Sequence, residues 1–408
     1  MDVDYPRCAG LDVHKDTVVA CVRIVEGRQV QQEVRTFRTT TKELLRLSDW
    51  LAELGCTHVA MESTGVFWKP VWHVLEDSFE LVLANAGAIR NLPGRKTDVN
   101  DAMWIADLLA HGLIRGSFVP SRPVQELRDL TRTRTQLVRE ISRHTQRIQK
   151  TLEDANLKLT GLITDVLGVT GRAILDALIA GETDLDALAG LRRRGIKASH
   201  EELVEALRGS VRDHHRFLLQ VHLRQIDTLQ QAVRDLEGRM ETLLEPFRPQ
   251  VDLLTTIPGV SVTTARVVLA EIGFDMAQFA SAGHLVSWVG LCPRSDESAG
   301  KRRSNRLRPG NTWLKSALVQ AAWAASRKKD SALRAQYLRL KSRRGPKKAV
   351  VAVAASMLTA AYFMLQRSLP YTDLGPSHLD TRDPQKTAQR LVRRLRDLGF
   401  EVELRHAA

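Results

Sequence analysis

The segment CAGLDVHKDTVVACVRIVEGRQVQQEVRTFRT, residues 8–39, decides the fold of the N-terminal region. It contains three strand-like runs, at residues 8–13, 17–25 and 31–39. Polar turns fall between them at His14–Asp16 and Glu26–Arg28. Short runs that are rich in apolar and β-branched side chains and bounded by such turns are typical of strands, so we predict three successive strands here.

The pattern beyond residue 39 alternates between helix and strand. We predict a helix over 41–54, with Leu44, Leu45, Leu47 and Leu51 on its apolar face, and a second helix over 98–111. Short strands are predicted at THVAMES, which ends at Glu62, and at ELVLAN, which ends near Asn85. The resulting order of three strands, helix, strand, helix, strand and helix matches a ribonuclease-H-like α/β sheet.

Size and composition set broad limits on the whole chain. The 408 residues are too many for one ordinary core, and a net charge of +13 favours a polyanionic partner. The four cysteines lack the spacing of metal ligands or of a disulfide framework, which fits a reducing cytosol. Because the N-terminus lacks an apolar signal segment, we expect a cytoplasmic protein. The uncharged segment 349–365 is short and alanine-rich, and we predict a close-packed buried helix rather than a membrane span.

The middle of the chain contains two apolar seams at near-heptad spacing. The first consists of Leu130, Leu137, Ile141, Ile148 and Leu152, and the second of Leu219, Leu223, Ile226, Val233, Leu236, Met240 and Leu243. Pro246 ends the second seam. We predict an antiparallel or intersubunit coiled-coil insertion with short helices between the seams, although a plain helical bundle explains the spacing equally well. Seams that hold subunits together would make the protein a homo-oligomer.

The C-terminal third is predicted to be mainly helical. TTIPGVSVTTARVVLAEIG places a Pro-Gly turn between two helix-forming stretches, which resembles a helix-hairpin-helix element. Residues 305–348 are strongly basic, and a basic amphipathic helix is predicted at 385–398. The expected domains are therefore 1–120, 121–250, 251–368 and a linker with a tail at 369–408.

Four carboxylates occupy positions that suit a metal site. Asp12 and Glu62 end predicted strands, while Asp98 and Asp101 share one face at the start of a predicted helix. Acids gathered at the carboxyl edge of a sheet would repel one another unless a hard cation such as Mg²⁺ neutralised them. Taken singly, each acid has a structural explanation, such as a turn or a helix-dipole partner; together they favour a catalytic metal site. Asp107, further along the helix, is expected to face solvent.

The motifs GLDVHKD, MESTG, KTDVNDA and VGLCPRSDESAGKRRSNRLRPGNTWLKSAL together resemble the DEDD transposases of the insertion sequence 110 family. The resemblance covers residues 8–112 and 251–366, and pilin-gene invertases share the same plan. It implies a RuvC-like N-terminal domain in which Asp12, Glu62, Asp98 and Asp101 bind Mg²⁺. It also implies a C-terminal transposase domain with a serine nucleophile, a structured guide RNA that pairs with donor and target DNA, and a homo-oligomer, either dimer or tetramer.

The residue that matches the family's serine is Ser298, in Glu297–Ser298–Ala299–Gly300–Lys301. Ala299 departs from the glycine that is usual there. Ser295 and Ser304 are rival candidates in the same segment, and a serine hydroxyl needs activation, which the carboxylates would supply. Nearby basic residues are predicted to contact phosphates: Lys301, Arg302, Arg303, Arg306, Arg308 and Lys315. Arg128, Arg132, Arg134, Arg139, Arg143 and Arg147 suggest a second face for RNA or DNA.

These features favour a nucleoid-associated transposase that cuts and rejoins DNA through a serine–DNA intermediate. Two alternatives remain open at this stage. A RuvC-like junction-resolving nuclease would use the acids without a covalent intermediate, so trapping of a protein–DNA adduct separates the two. A non-enzymatic nucleic-acid-binding protein explains the charge but leaves the four acids without a role, and metal-dependent strand cleavage would exclude it.

Overall fold

The computed structural model describes residues 3–62, 65–85, 89, 101–293, 297–298, 301–302, 304, 306–381 and 384–404. For residues 297, 298, 301, 302 and 379 it describes the backbone alone. The chain forms two compact units, Met1–Val119 and Pro120–Ala408, and each is considered by itself. A further division of the second unit after residues 250 and 368 stays a proposal.

The first unit is built on one five-stranded sheet. Its strands are β1 (Arg7–Val13), β2 (Thr17–Glu26), β3 (Gln29–Arg38), β4 (His58–Glu62) and β5 (Glu80–Ala84). Its helices are α1 (Thr41–Glu53), α2 (Trp68–Leu75) and α3 (Asp101–Ala110). The sheet order is β3-β2-β1-β4-β5, with β1 to β3 antiparallel and β1, β4 and β5 parallel. The predicted order of elements is confirmed, as is a mixed α/β domain.

The two faces of the sheet carry separate cores because side chains alternate along each strand. Leu11, Val59 and Met61 belong to the core that includes residues of α1 and α2. Cys8 and Ala60 point to the opposite face and pack with Ile105 and other residues of α3. Helices therefore cover both faces of β1 and β4, which explains why these two strands are nearly continuous apolar runs.

Gly10 allows α3 to lie directly on β1. A β-carbon at this position would be 2.3 Å from both the backbone oxygen of Ala102 and the backbone nitrogen of Ala106. Only a residue without a side chain permits this approach. The contact fixes the start of α3 against the middle of β1, two residues before Asp12.

In its described residues the second unit is helical apart from one short hairpin, as the sequence predicts. Its helices in the middle of the chain are α4 (Arg122–Asp154), α5 (Leu159–Leu162), α6 (Val169–Ala180), α7 (Leu185–Gly190), α8 (His200–Ala206) and α9 (Asp213–Leu244). The C-terminal elements are α10 (Arg248–Thr255), α11 (Val262–Ile272), α12 (Ala282–Val289), β6 (Glu297–Ser298), β7 (Lys301–Arg302), α13 (Thr312–Ala325), α14 (Ala332–Arg344), α15 (Pro346–Arg367), α16 (His378–Thr381) and α17 (Pro384–Asp397).

The long helices α4 and α9 pair with each other within one chain and run antiparallel. Three hydrogen-bonded pairs show the direction: Arg134 with Glu237, His144 with His222 and Asp154 with His215. Residue numbers increase along α4 while those of their partners decrease along α9. The antiparallel alternative is therefore confirmed for the two seams.

Burial along this pair is uneven. Ile148, Leu152, Leu219, Leu223 and Ile226 are buried with the short helices between the seams. Leu130, Leu137, Val233 and Leu236 are only half-buried. The alternative that the seams hold two subunits together is wrong for Ile226, because its side chain is fully buried inside its own chain.

The predicted Pro-Gly turn joins α10 to α11 and packs into the core. Gly259 has a φ of +85°, and a β-carbon on it would be 2.3 Å from the backbone oxygen of Ala321 in α13. Close helix packing thus explains the glycine without a phosphate ligand.

Among the described residues, one helix, α15, is long and apolar enough to cross a membrane. It packs against α10, α12, α13 and α14, and half of its most apolar window is buried. The packed helix predicted for 349–365 is confirmed. The predicted terminal helix is also present, as α17, and none of its residues is buried.

Candidate active site

Asp12 and Glu62 occupy matching positions on neighbouring parallel strands. The register pairs Gly10 with Ala60 and Leu11 with Met61, so Asp12 and Glu62 come next on β1 and β4. Each lies two residues beyond a residue that faces α3, and alternation therefore places both carboxylates on the α3 face. They share the carboxyl edge of the two strands, where open α/β sheets place ligands.

Asp101 is the first residue of α3 and approaches the same edge and face. The residue after it, Ala102, is the one whose backbone lies against Gly10 of β1. Asp12, Glu62 and Asp101 together are called the acidic edge below. Asp98, the fourth predicted ligand, lies outside the described residues.

The acidic edge is grouped by the fold but is not compact. Its ligand atoms do not all lie within 4.8 Å of one another, as judged on the described residues. Asp12 remains partly accessible, with 18% of its side chain exposed, and its Oδ2 is 3.1 Å from His14 Nε2. The backbone therefore brings three predicted acids to one edge and one face of the sheet.

Asp107 does more than face solvent. It lies two turns into α3, and its Oδ1 is 3.0 Å from a guanidinium nitrogen of Arg23 on β2. The Arg23 side chain is mostly buried, whereas that of Asp107 is 38% exposed. The carboxylate thus faces solvent in part, as predicted, and it also neutralises an arginine that the sheet buries.

One compact group of metal-ligand types occurs in the described part of the chain, and it is Asp154, His214 and His215. His215 is buried, and its Nδ1 accepts the backbone N–H of Arg212, so its Nε2 donates to Asp154 Oδ2 at 2.9 Å. This hydrogen bond lowers the pKa of the Asp154 carboxyl. Since both ring nitrogens of His215 are used, the group fastens the end of α4 to the start of α9.

Ser298 lies in a β-hairpin and not in an irregular loop. Its backbone pairs with Lys301 in the two-stranded sheet of β6 and β7. A further bridge between Pro293 and Leu307 closes the base of the segment. The described residues of this segment are called the serine hairpin below: Pro293, Glu297–Ser298, Lys301–Arg302, Ser304, Arg306 and Leu307. Arg303 and Ser295 lie outside the described residues, and Lys301 and Arg302 are described by backbone alone.

The remaining predicted basic residues lie where the serine hairpin joins α13. The side chains of Arg306 and Arg308 are exposed, and an Arg308 guanidinium nitrogen donates to Ser287 Oγ at 3.3 Å. Lys315 Nζ donates to the backbone oxygen of Arg308 at 3.2 Å. Lys315 therefore anchors the hairpin, while Arg306 and Arg308 remain open to a phosphate.

Sequence reasoning missed Glu271, a fully buried carboxylate in α11. Arg132 bonds to both of its oxygens at 2.8 Å, and Arg128 lies 3.5 Å away. Asn311 Nδ2 also donates to Glu271, while its own Oδ1 caps α13 by accepting from backbone N–H groups. The available signal was one acid within the apolar stretch VVLAEIGF. A buried acid of this kind requires cationic partners.

The network corrects the prediction of a second nucleic-acid face on α4. Arg128 and Arg132 serve Glu271, and burial lowers the pKa of Arg128. Arg134 pairs with Glu237 of α9 at 2.7 Å. Three of the six arginines thus hold helices together, and the exposed ones are Arg139, Arg143 and Arg147.

An α/β unit with an acidic sheet edge, together with a basic helical unit, defines the class as an enzyme that acts on nucleic acid. The family models agree. Residues 9–156 match the model described as "Transposase" for the DEDD group of IS110, and residues 251–338 match "Transposase IS116/IS110/IS902 family". The two matches together cover more than half of the chain, and the chain belongs to the IS110 family of transposases.

Individual relatives agree over part of their length. An "Insertion element IS110 uncharacterized 43.6 kDa protein" of Streptomyces coelicolor is 32% identical over 149 residues, which is 36% of either chain. A "Pilin gene-inverting protein" of Moraxella bovis is 31% identical over 125 residues, 30% of this chain and 38% of the relative. The match to the protein of that name from Moraxella lacunata has the same extent. The chain thus spans little more than a third of these relatives.

Proposed function

We propose that this protein is an insertion-sequence transposase that cuts and rejoins donor and target DNA through a Ser298–DNA intermediate. The proposal includes a divalent-metal site for Mg²⁺ at Asp12, Glu62, Asp98 and Asp101, and a structured guide RNA. We propose that the protein acts in the cytoplasm, on the DNA of the nucleoid. The observation that carries it is the matched placement of Asp12 and Glu62 on the face and edge that Asp101 approaches.

The donor set fits a hard cation. All of its ligands are carboxylate oxygens, which Mg²⁺ prefers, and Mg²⁺ sites of this kind also take phosphate oxygens and water as ligands. A bound Mg²⁺ would supply neutralisation of phosphate charge and polarisation of the scissile phosphodiester. The neighbouring His14 orients Asp12 by its contact at 3.1 Å.

The serine step conserves the energy of the phosphodiester. Ser298 Oγ attacks phosphorus and loses its proton to a general base, while the bond from phosphorus to the deoxyribose oxygen breaks and that oxygen leaves with the electron pair and takes up a proton. A hydroxyl of the new strand then attacks the phosphoserine ester and releases Ser298. No external energy source is needed, since one ester replaces another. Arg306 and Arg308 offset the phosphate charge.

We propose a dimer or a tetramer as the working assembly. The half-buried seam residues Val233 and Leu236 support this, because apolar side chains that their own chain leaves partly open are available to a second copy. Val233→Glu should lower the mass of the nucleic-acid-bound particle in light scattering and leave the helical circular dichroism unchanged. A wild-type complex of monomer mass would exclude the assembly.

The proposed function is tested by recombination of a plasmid that carries the element ends and a target. Wild-type protein should recombine it only with a divalent cation, and Asp12→Asn should remove recombination while the circular dichroism stays native. Asp16→Asn is the matched control, because this exposed carboxylate follows the end of the same strand. Recombination by Asp12→Asn, or without metal, would contradict the site.

A further inference from the structure

A cavity of about 290 Å³ lies between α4, α11 and α13, and the function proposed above does not use it. Helix α4 contributes Arg132, Arg134 and Arg139, α11 contributes Glu271, and α13 contributes Trp313. This space, called the Trp313 cavity below, is smaller than most ligand pockets. Its volume suits one small group and is far too small for a nucleic-acid duplex.

The charge of the Trp313 cavity is positive and is concentrated at Arg139. Arg132 is neutralised by Glu271, and Arg134 by Glu237. Arg139 has no carboxylate partner among the described residues, and its guanidinium carbon lies 5.2 Å from the centre of the Trp313 ring. Stacking on tryptophan steadies a guanidinium without using its N–H donors. The guanidinium of Arg139 therefore keeps its N–H donors free of carboxylates among the described residues, and such donors suit a phosphate.

The remaining walls offer both stacking surface and hydrogen-bond acceptors. Val138, Val267 and Ala317 provide apolar contact next to Trp313. The hydroxyls of Thr135, Ser142 and Ser316 donate to carbonyl groups of their own helices, at 2.9, 3.0 and 2.7 Å. These hydroxyls thus present lone pairs, and Gln320 adds an amide. Aromatic surface, acceptors and an amide match the face and edge of a nucleobase.

We propose that the Trp313 cavity binds one unpaired nucleotide of a single-stranded nucleic acid, with its base inside the cavity and its phosphate on Arg139. The inference rests on the proposed nucleic-acid substrate and adds a binding site to it. RNA and DNA share this chemistry, and the test separates them.

The test uses the full-length protein with three probes of one sequence, about 12 nucleotides long. The probes are single-stranded RNA, single-stranded DNA and duplex DNA, each labelled for anisotropy and substituted with iodouracil for photocrosslinking. Arg139→Gln removes the phosphate ligand, and Trp313→Leu removes the aromatic ring. Arg143→Gln is the matched control, because it removes an equal charge from an exposed position on α4 outside the cavity.

Arg139→Gln and Trp313→Leu should each raise Kd for a single-stranded probe about tenfold or more. Arg143→Gln should raise it no more than about threefold, as expected for the loss of one exposed charge outside the cavity. The crosslink should map to the peptide that contains Trp313, persist in Arg143→Gln and vanish in Arg139→Gln. Whichever of RNA and DNA shows this dependence more strongly is the natural source.

Equal effects of Arg139→Gln and Arg143→Gln on Kd would overturn the proposed nucleotide site. A crosslink that maps elsewhere would also overturn it, as would an equal effect of Arg139→Gln on binding of the duplex probe. If Trp313→Leu fails to fold, Arg139→Gln still decides, since its side chain is exposed. If wild-type protein recombines DNA but Arg139→Gln binds the probes as Arg143→Gln does, the nucleotide site in the cavity is excluded and the proposed function stands. Wild-type protein that binds none of the probes removes the proposed function with it.

Discussion

The acidic edge and the serine hairpin hold their chemical groups in opposite ways. Asp12 and Glu62 end strands at the centre of a five-stranded sheet with helices on both faces. Ser298 lies on a two-residue strand in a hairpin that one bridge closes at its base. The comparison teaches that the first site depends on the packing of the whole unit, whereas the second depends on a few local anchors.

Those anchors are polar. Lys315 bonds to the backbone of Arg308, and Asn311 caps the helix that follows the hairpin while it bonds to the buried Glu271. Changes to the sheet packing should therefore disturb the acidic edge, and changes to the Glu271 network should disturb the base of the serine hairpin. The predictions below test each half of this contrast.

The largest effect is expected at the acidic edge. Glu62→Gln and Asp101→Asn should each lower strand exchange more than about 100-fold, since removal of even an outer partner of a metal ligand costs 10- to 100-fold. The measurement is the yield of recombinant plasmid. Asp16→Asn, at an exposed position beyond the end of β1, should keep activity. Full activity in Asp101→Asn would show that Asp101 is not a ligand of the metal site.

The next effect tests the anchor of the hairpin. Glu271→Gln leaves Arg132 and Arg128 without their buried counter-charge, and the free energy of unfolding should fall by about 3–5 kcal/mol. Glu237→Gln is the matched control, because its pair with Arg134 is partly exposed, and about 1 kcal/mol or less is expected. Denaturant titration measures both. Equal losses of unfolding free energy in the two variants would show that the buried pair of Glu271 stabilises the fold no more than the exposed pair of Glu237.

Packing of α3 on the sheet gives a smaller effect. In Gly10→Ala the new methyl group meets backbone atoms of Ala102 and Ala106 at 2.3 Å, so α3 must shift. The loss should be about 1–3 kcal/mol, and Asp101 should move with the helix. Gly161→Ala, where no atom lies within 4 Å of the added carbon, should be almost neutral. Unchanged stability and activity in Gly10→Ala would contradict the close approach.

The smallest effect is the pH dependence of stability at the pair of helices α4 and α9. Burial, with His144 and Arg147 nearby, lowers the pKa of His222. Below the ordinary histidine value of about 6.5 the unfolded chain takes up a proton that the folded chain resists, so stability should fall as pH drops through this window. His222→Gln should flatten the pH dependence of Tm in this range. Identical profiles for the two proteins would assign the dependence to other groups.

Much of the fold could be predicted because the relevant signals are local. The strand runs at 8–39 and the seams of α4 and α9 are repeated apolar patterns, and the structure has elements at those places. Alternation and strand ends also indicated that Asp12 and Glu62 share an edge. These features depend on neighbours a few residues apart, which a sequence displays directly.

The rest depended on contacts between distant positions. Glu271 lies about 140 residues from its arginine partners, and no local period joins them. Separations of 143 and 103 residues likewise hid the structural roles of Arg128 and Arg134, which the sequence presented as part of a basic stripe. The hairpin of Ser298 was missed because two-residue strands carry almost no periodic signal.

We claim above all that Ser298 becomes joined to DNA, and the direct test is to trap that adduct. A stalled reaction on end-labelled DNA is separated by denaturing electrophoresis, and the DNA-linked peptide is mapped by mass spectrometry. Wild-type protein should give a metal-dependent adduct on Ser298, and Ser298→Ala should bind DNA normally yet give neither adduct nor recombinant, while Ser304→Ala gives both. Strand exchange by Ser298→Ala, or cleavage by wild-type protein with no adduct, would contradict the claim, the latter in favour of a junction-resolving nuclease.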